Sequence, residues 1–343
     1  MVAPVALVTA PGSEAHAAEG HPERPDRLTA ILEHLERTGL AARMHALDAR
    51  LAGDEEIARV HRLPLVRLEE QVAKAGGGWL DADTYVTPRS VQIARQAAGA
   101  NLVAVEAVLG GEASSAFVAV RPPGHHATDQ RAMGFCLLNN VAIAAAHALE
   151  AGLERVAIVD WDVHHGNGTQ AIFDDDPRVL YFSTHAAPFY PGTGAVAESG
   201  RGEAAATKLN APLPAGTGDA GFLAAYEQVC IPALERFRPD LVLVSSGWDA
   251  HARDPLAPLL VSTEGYHRVA GLVIEAARAL CDGRVVVNLE GGYDTHALAW
   301  CASGLCEQLL GEAPTSDPDP VAPPEREPDI EAMLAALRRE AGL

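Results

Sequence analysis

The feature that most constrains this chain is a rhythm. Short, near-continuous apolar runs recur along it, separated by stretches with helical periodicity. The clearest runs lie at 116–120, 156–160, 179–183, 241–245 and 285–289. A strand with one wet face alternates apolar and polar residues, so a run without alternation predicts a strand covered on both faces. The stretches 140–151, 221–237 and 263–281 read as helices between them. Such alternation predicts an α/β fold, a central and mostly parallel sheet with helices on both faces. The apolar opening, 2–10, reads as a first strand. It lacks the basic start of a signal peptide and runs at once into Pro11-Gly12.

The chain has 343 residues, 48% of them hydrophobic, enough for a large core. Residues 1–312 are expected to form a single domain. The stretch 313–328, rich in Pro and Asp, reads as an extended linker, and 329–343 as a C-terminal segment with a short amphipathic helix over 330–339. Whether that helix docks on its own body or on a second copy, as in a homo-oligomer, is open at this level. The net charge of −20, without any run of Lys or Arg, argues against a nucleic-acid partner. No apolar run is long enough for a bilayer, so no membrane partner is expected. The acidic balance suits a cationic partner, although solubility alone accounts for it. The five cysteines (Cys136, Cys230, Cys281, Cys301 and Cys306) form no CxxC pair. They predict reduced thiols in a cytoplasmic protein, neither a disulfide framework nor a thiolate zinc site.

Chemistry-bearing residues follow each apolar run. Arg121-Pro122-Pro123-Gly124-His125-His126 follows the first and Asp160-Trp161-Asp162-Val163-His164-His165-Gly166 the second. Ser183-Thr184-His185, Gly247-Trp248-Asp249-Ala250-His251 and Glu290-Gly291-Gly292-Tyr293 follow the others. Parallel sheets place their sites at the carboxyl ends of strands, so these segments are expected to converge.

Asp162 and His164 stand two apart at a strand end, where side chains at i and i+2 point the same way. A lone D-x-H is more often a salt-bridged pair than a ligand pair. With Asp249 from another strand end, however, it makes an Asp-His-Asp set with open positions, the pattern of a catalytic zinc site. Two carboxylates offset most of the ion's charge, so such a site needs a general base, and His125 and His126 are the candidates. Asp160 and Asn167 are plausible partners for these imidazoles. An aspartate partner raises basicity and an asparagine does not, which separates the pair into two jobs. Tyr293, after two glycines that free its loop, is a candidate oxyanion donor; alone, E-G-G-Y would read as an ordinary loop.

Taken together the motifs resemble the histone deacetylase family, its class II branch most closely, over nearly the whole chain up to the linker. The resemblance rests on His21-Pro22-Glu23-Arg24-Pro25, Asp83-Thr84-Tyr85, R-P-P-G-H-H-A, Met133-Gly134-Phe135-Cys136, D-W-D-V-H-H-G-N-G-T-Q, Phe189-Tyr190-Pro191-Gly192-Thr193-Gly194 and E-G-G-Y. It implies an arginase/deacetylase-like fold and a zinc-dependent amidohydrolase that removes acetyl or short acyl groups from lysine. By that likeness Asp162, His164 and Asp249 bind zinc. His126 with Asn167 is general base and later acid, while His125 with Asp160 acts electrostatically. Tyr293 stabilises the oxyanion. The Gly134 carbonyl holds the substrate N–H, Phe135 and Tyr190 wall a tunnel, Asp83 grips the substrate at the rim and Arg24 lines the inner end. Potassium is implied at Asp160, the main chain of Asp162 and His164, Ser183 and Thr184, with a second site near Phe173, Asp176 and Val179.

Two departures stand out. Tyr190 adds a hydroxyl where many members have Phe, and Trp248 replaces a Phe beside the metal ligand. Intact Tyr293 implies an active enzyme. The alternatives are an acetylpolyamine or other small acylated-amine amidohydrolase, an acyl-lysine reader, and a binuclear manganese hydrolase. In Arg253-Asp254-Pro255-Leu256, Leu256 stands where a polyamine-selective member would carry Glu, which argues against the first. Intact catalytic candidates argue against the second, and the lack of bridging carboxylates against the third. The metal itself, zinc or ferrous iron, is not legible.

Overall fold

The computed structural model describes residues 3–343. Eight strands form one sheet: β1 (Val5–Thr9), β2 (His45–Asp48), β5 (Ser115–Ala119), β6 (Val156–Asp160), β7 (Val179–Ala186), β8 (Lys208–Leu213), β9 (Leu241–Ser246) and β10 (Val285–Leu289). Two further short strands, β3 (Gly78–Trp79) and β4 (Tyr85–Val86), pair antiparallel as a separate hairpin. The order in the large sheet is β2-β1-β5-β10-β9-β6-β7-β8, and every pairing is parallel. This is the α/β architecture expected, as one domain.

The continuous apolar runs are explained by what covers them. In β9, Val242 and Val244 enter the core on one face, while Leu241 and Leu243 enter the core on the other. In β6, Ala157 and Val159 divide from Val156 and Ile158 in the same way. Helices Asp26–Arg37, Thr263–Cys281 and Thr295–Leu309 contribute to the first core, and Ser90–Leu109 and Asn140–Glu150 to the second. Burying a Val or Leu side chain contributes about 1.5–3 kcal/mol, so the central strands anchor everything attached to their ends.

Several boundaries differ from expectation for local reasons. The opening strand begins at Val5; Val2 lies outside the described residues. The stretch expected as one helix over 221–237 is helical from Asp219 to Phe237 with a wide turn at Tyr226–Cys230, which brings the Tyr226 hydroxyl to 3.0 Å from Thr184 Oγ1. Strand β8 carries Lys208, Asn210 and Pro212, a composition that hides an edge strand. The Pro/Asp-rich stretch has no regular structure, and helix Glu331–Ala341 docks on its own body, burying Leu334 and Leu337 in the first core. All five cysteines are buried and unpaired, and no described helix is long and apolar enough to cross a membrane.

Candidate active site

Strands β5, β10, β9 and β6 are neighbours, and their carboxyl ends release the four segments carrying His125 and His126, Tyr293, Asp249, and Asp162 with His164. They converge on a cavity of about 240 Å³. His125, His126, Asp162, His164 and Tyr293 line its depth, with Gly134, Phe135, Tyr190, Asp83 and Leu256 among its walls.

Asp162, His164 and Asp249 each bring one ligand atom within 4.8 Å of the others. His164 Nδ1 lies 3.0 Å from Asp162 Oδ1 and 3.2 Å from Asp249 Oδ2. The outer carboxylate atoms are held from behind: Val163 N–H donates to Asp249 Oδ1 at 2.8 Å and Gly291 N–H to Asp162 Oδ2 at 2.8 Å. Asp249 Oδ2 is buried with no hydrogen-bond donor. A buried carboxylate oxygen of this kind, with only the His164 ring nitrogen near it, is suited to a cation. Charge balance agrees: burial and repulsion from Asp162 raise the Asp249 pKa, a strain that a positive ion between the carboxylates would relieve. The set therefore fits a small divalent ion with oxygen and nitrogen donors.

The glycines of Gly247 and Gly291 exist for this set. A Cβ on Gly291 would stand 2.1 Å from Asp249 Oδ2, and one on Gly247 2.1 Å from Asp162 Oδ2. The first glycine of E-G-G-Y thus allows close approach to the carboxylates, and only Gly292, at φ 109°, supplies the turn.

The histidines are differentiated by their partners. His125 Nδ1 is 3.1 Å from Asp160 Oδ2, and His126 Nδ1 is 2.8 Å from Asn167 Oδ1. Because the amide oxygen only accepts, His126 Nδ1 carries hydrogen and Nε2 keeps its lone pair. Burial disfavours the His125 cation, but the Asp162 and Asp160 carboxylates outweigh it and raise its pKa to about 10. Burial and the neighbouring His125 and His164 hold His126 well below the usual range.

Around the opening, Phe135 adopts φ 69°, a left-handed conformation costly for a side-chain-bearing residue, and its N–H donates to Thr84 Oγ1 at 3.1 Å. Its ring meets that of Tyr293 edge-on at 6.0 Å. The Tyr190 ring stands edge-on to His126 at 5.1 Å. Asp83 belongs to the turn joining β3 and β4. Trp248 is buried in the first core against Phe117.

One expectation is corrected. Arg24 does not reach the inner end: it is half exposed and pairs with Asp26 at 3.4 Å. One turn of helix later, Arg27 is buried, donates to the Gly292 and Glu290 carbonyls, and stacks 4.9 Å from the Tyr293 ring centre. Near Phe173, Asp176 and Val179, where a second potassium was expected, the chain brings a cation of its own. The buried Lys208 ammonium donates to the carbonyls of Val179 at 2.7 Å and Asp176 at 3.2 Å and to Thr207 Oγ1 at 2.6 Å.

Sequence reasoning passed over three supports. Glu290, read only as a motif letter, accepts from Gly124 N–H at 2.6 Å and His125 N–H at 3.2 Å, pinning the histidine loop. The Tyr181 hydroxyl donates to Asp160 Oδ2 at 3.0 Å. Glu23 accepts from Arg121 and Arg27, tying the N-terminal loop beneath the site. Glu23 and Glu290 fall inside quoted motifs, so their position was a signal; Tyr181 sits in an apolar run and gave none.

Comparison with known proteins identifies the family. The histone deacetylase domain matches residues 21–309. A probable deacetylase of Archaeoglobus fulgidus is 40% identical over 294 residues, 85% of this chain and 82% of that protein. The polyamine deacetylase HDAC10 of Homo sapiens is 42% identical over 316 residues, 88% of this chain and 46% of that protein. The crystal structure of the HDA15 HD domain superposes with a TM-score of 0.85 at 38% identity, covering 92% of this chain and 90% of that one. With strand order, motifs and domain match in accord, the chain belongs to the histone deacetylase/acetylpolyamine amidohydrolase superfamily, enzymes that hydrolyse acylated amines.

Proposed function

We propose that this chain is a zinc-dependent deacetylase that removes acetyl or other short acyl groups from lysine side chains. The observation that carries this reading is the Asp162–His164–Asp249 set, with its donorless carboxylate oxygen, at the base of a cavity shared with two differently partnered histidines and Tyr293. Those three residues would hold the zinc ion, which supplies Lewis acidity toward the acyl carbonyl and an acidified water. His126 Nε2 takes the proton from the attacking water and returns it to the leaving amine, while Asn167 keeps its Nδ1 protonated throughout. His125, oriented by Asp160, would steady the negative charge that develops. The Tyr293 hydroxyl donates to the oxyanion. The Gly134 carbonyl accepts the substrate N–H, Phe135 and Tyr190 flank the methylene stem, and Asp83 accepts from the substrate backbone at the rim.

Potassium would be held by Asp160, Ser183 and Thr184 with the main-chain oxygens of Asp162 and His164. Asp160 and Ser183 face each other across β6 and β7 in register, which supports this placement. Its charge would offset the buried Asp160 carboxylate.

The competing reading is an amidohydrolase of acetylpolyamines, favoured by the likeness to the human polyamine deacetylase. Leu256 on the cavity wall weighs against it, since an apolar residue leaves a second ammonium uncompensated. The test is paired kinetics on acetyl-lysine peptides and acetylpolyamines with metal analysis of the same sample. A higher kcat/KM on peptides and one zinc per chain are expected. Preference for polyamines, or full activity in metal-free protein, would overturn the reading.

A further inference from the structure

The loop after β9 and the loop after β10 leave neighbouring strands, and one buried side chain joins them. Asp254 is 8% exposed. Its Oδ2 accepts from Tyr293 N–H at 2.7 Å and its Oδ1 from Leu256 N–H at 2.9 Å. Its own N–H donates to the His251 carbonyl at 2.8 Å, two residues beyond the ligand Asp249. No Lys or Arg pairs with its carboxylate among the described residues. Both oxygens are spent on main-chain donors, one below the oxyanion donor and one below the mouth residue.

We propose that Asp254 is a positioning residue that locks the backbone of Tyr293 to that of Leu256, so that the oxyanion donor and the wall of the cavity mouth move as one unit. The proposal rests on the reading of Tyr293 and Leu256 given above. A phenol aims its hydroxyl from the backbone that carries it; the Gly291 N–H and the Gly292 carbonyl are already held by Asp162 and Arg27, which leaves the N–H of Tyr293 itself to be fixed. The Asp254 carboxylate, on a separate loop, accepts from that N–H. The same carboxylate bends the chain at Asp254-Pro255-Leu256 so that Leu256 faces the cavity. Burial and the nearby Asp249 carboxylate push the Asp254 carboxyl up to about 7, while the two main-chain donors favour its anion.

Two independent readouts test this. The first is hydrogen exchange of the Tyr293 and Leu256 amides, followed with and without added zinc. Asp254→Ala should speed exchange at both by about tenfold or more, while amides within β9 and β10 stay protected. Asp254→Asn, with one carbonyl acceptor, should free one amide and spare the other. The second readout is a double-mutant cycle on kcat with a short acetyl-lysine peptide. A misplaced catalytic group can cost about 10²-fold, so Asp254→Ala should lower kcat by roughly 10- to 100-fold with KM nearly unchanged. In the Tyr293→Phe background the same change should have almost no further effect. Additive losses would show that Asp254 serves general folding, and unchanged exchange would show that it does not hold these loops; either overturns the proposal. If the native protein hydrolyses no acylated amine, the functional reading fails, whereas the exchange measurement still decides whether Asp254 locks the two loops.

Discussion

Replacing Gly291 with alanine is the sharpest test of the metal centre. The new Cβ would lie 2.1 Å from Asp249 Oδ2 and 2.5 Å from Asp162 Oδ2. Non-bonded heavy atoms settle at roughly 3.5 Å, so the Asp249 carboxylate must retreat by about 1.4 Å and that of Asp162 by about 1 Å. They have no room to do so, since both are buried and each is tethered to a main-chain N–H. Removing groups that merely orient ligands costs about 10- to 100-fold in metal affinity. Here the ligand atoms themselves are displaced, so a loss of at least about 100-fold, or about 2.7 kcal/mol, is expected. Competition for zinc against a chromophoric chelator measures it directly, with circular dichroism to establish that the fold persists. Gly292→Ala is the control. Its φ of 109° makes it strained, but its Cβ meets Leu298 and the Trp248 backbone, not a carboxylate. It should impair turnover through the Tyr293 loop and leave zinc affinity within about threefold. Zinc binding by Gly291→Ala at native affinity, or equal losses in both variants, would refute the reasoning.

Other outcomes follow from the same geometry. Tyr293→Phe should retain zinc and fold while kcat falls about 10²–10³-fold; a smaller loss in steady-state assays would remove its oxyanion role. His126→Ala should lower kcat by about 10²–10⁴-fold and His125→Ala by less, and the reverse order would exchange their roles. Leu256→Glu should shift the kcat/KM ratio toward acetylpolyamines by about tenfold, a differential of about 1.4 kcal/mol, and an unchanged ratio would show that this wall does not read the distal charge. Burial would raise the Glu23 carboxyl, but Arg121 and Arg27 hold it down from 4.5 to about 2. A depressed carboxylate stabilises above its unfolded pKa and loses that contribution as pH falls toward the folded value. Glu23→Gln should therefore cost about 3–5 kcal/mol near neutrality and flatten the stability curve between pH 4.5 and 2; parallel denaturant curves for the two proteins would contradict this.

Much of this was legible because it is local. Apolar runs without alternation identified β6, β9 and β10, since a residue pair such as Val242 and Leu243 must be buried on opposite faces at once. The spacing of Asp162 and His164 showed that their side chains point the same way, but only the surrounding motif and the other strand ends made them candidate ligands. The histidine pair and its two candidate partners were also readable, while the pairing of His125 with Asp160 and His126 with Asn167 came from the family resemblance and is what the structure has. Strands β2 and β8 were not, because an edge strand need not be apolar on both faces.

What the sequence by itself determined is the set of elements and the chemistry placed at their ends. Periodicity and motif spacing act within a few residues, where backbone geometry translates order into direction. The tertiary structure alone decided which ends meet. Asp249 joins Asp162 because β9 lies beside β6, and Asp254 reaches Tyr293 because β9 also lies beside β10. Helix phase chose Arg27 over Arg24 for the interior, and an edge strand carried Lys208 to the carbonyls of Asp176 and Val179. Strand order and helix phase are set by how the whole chain buries its apolar surface, a sum over distant contacts that no local window contains.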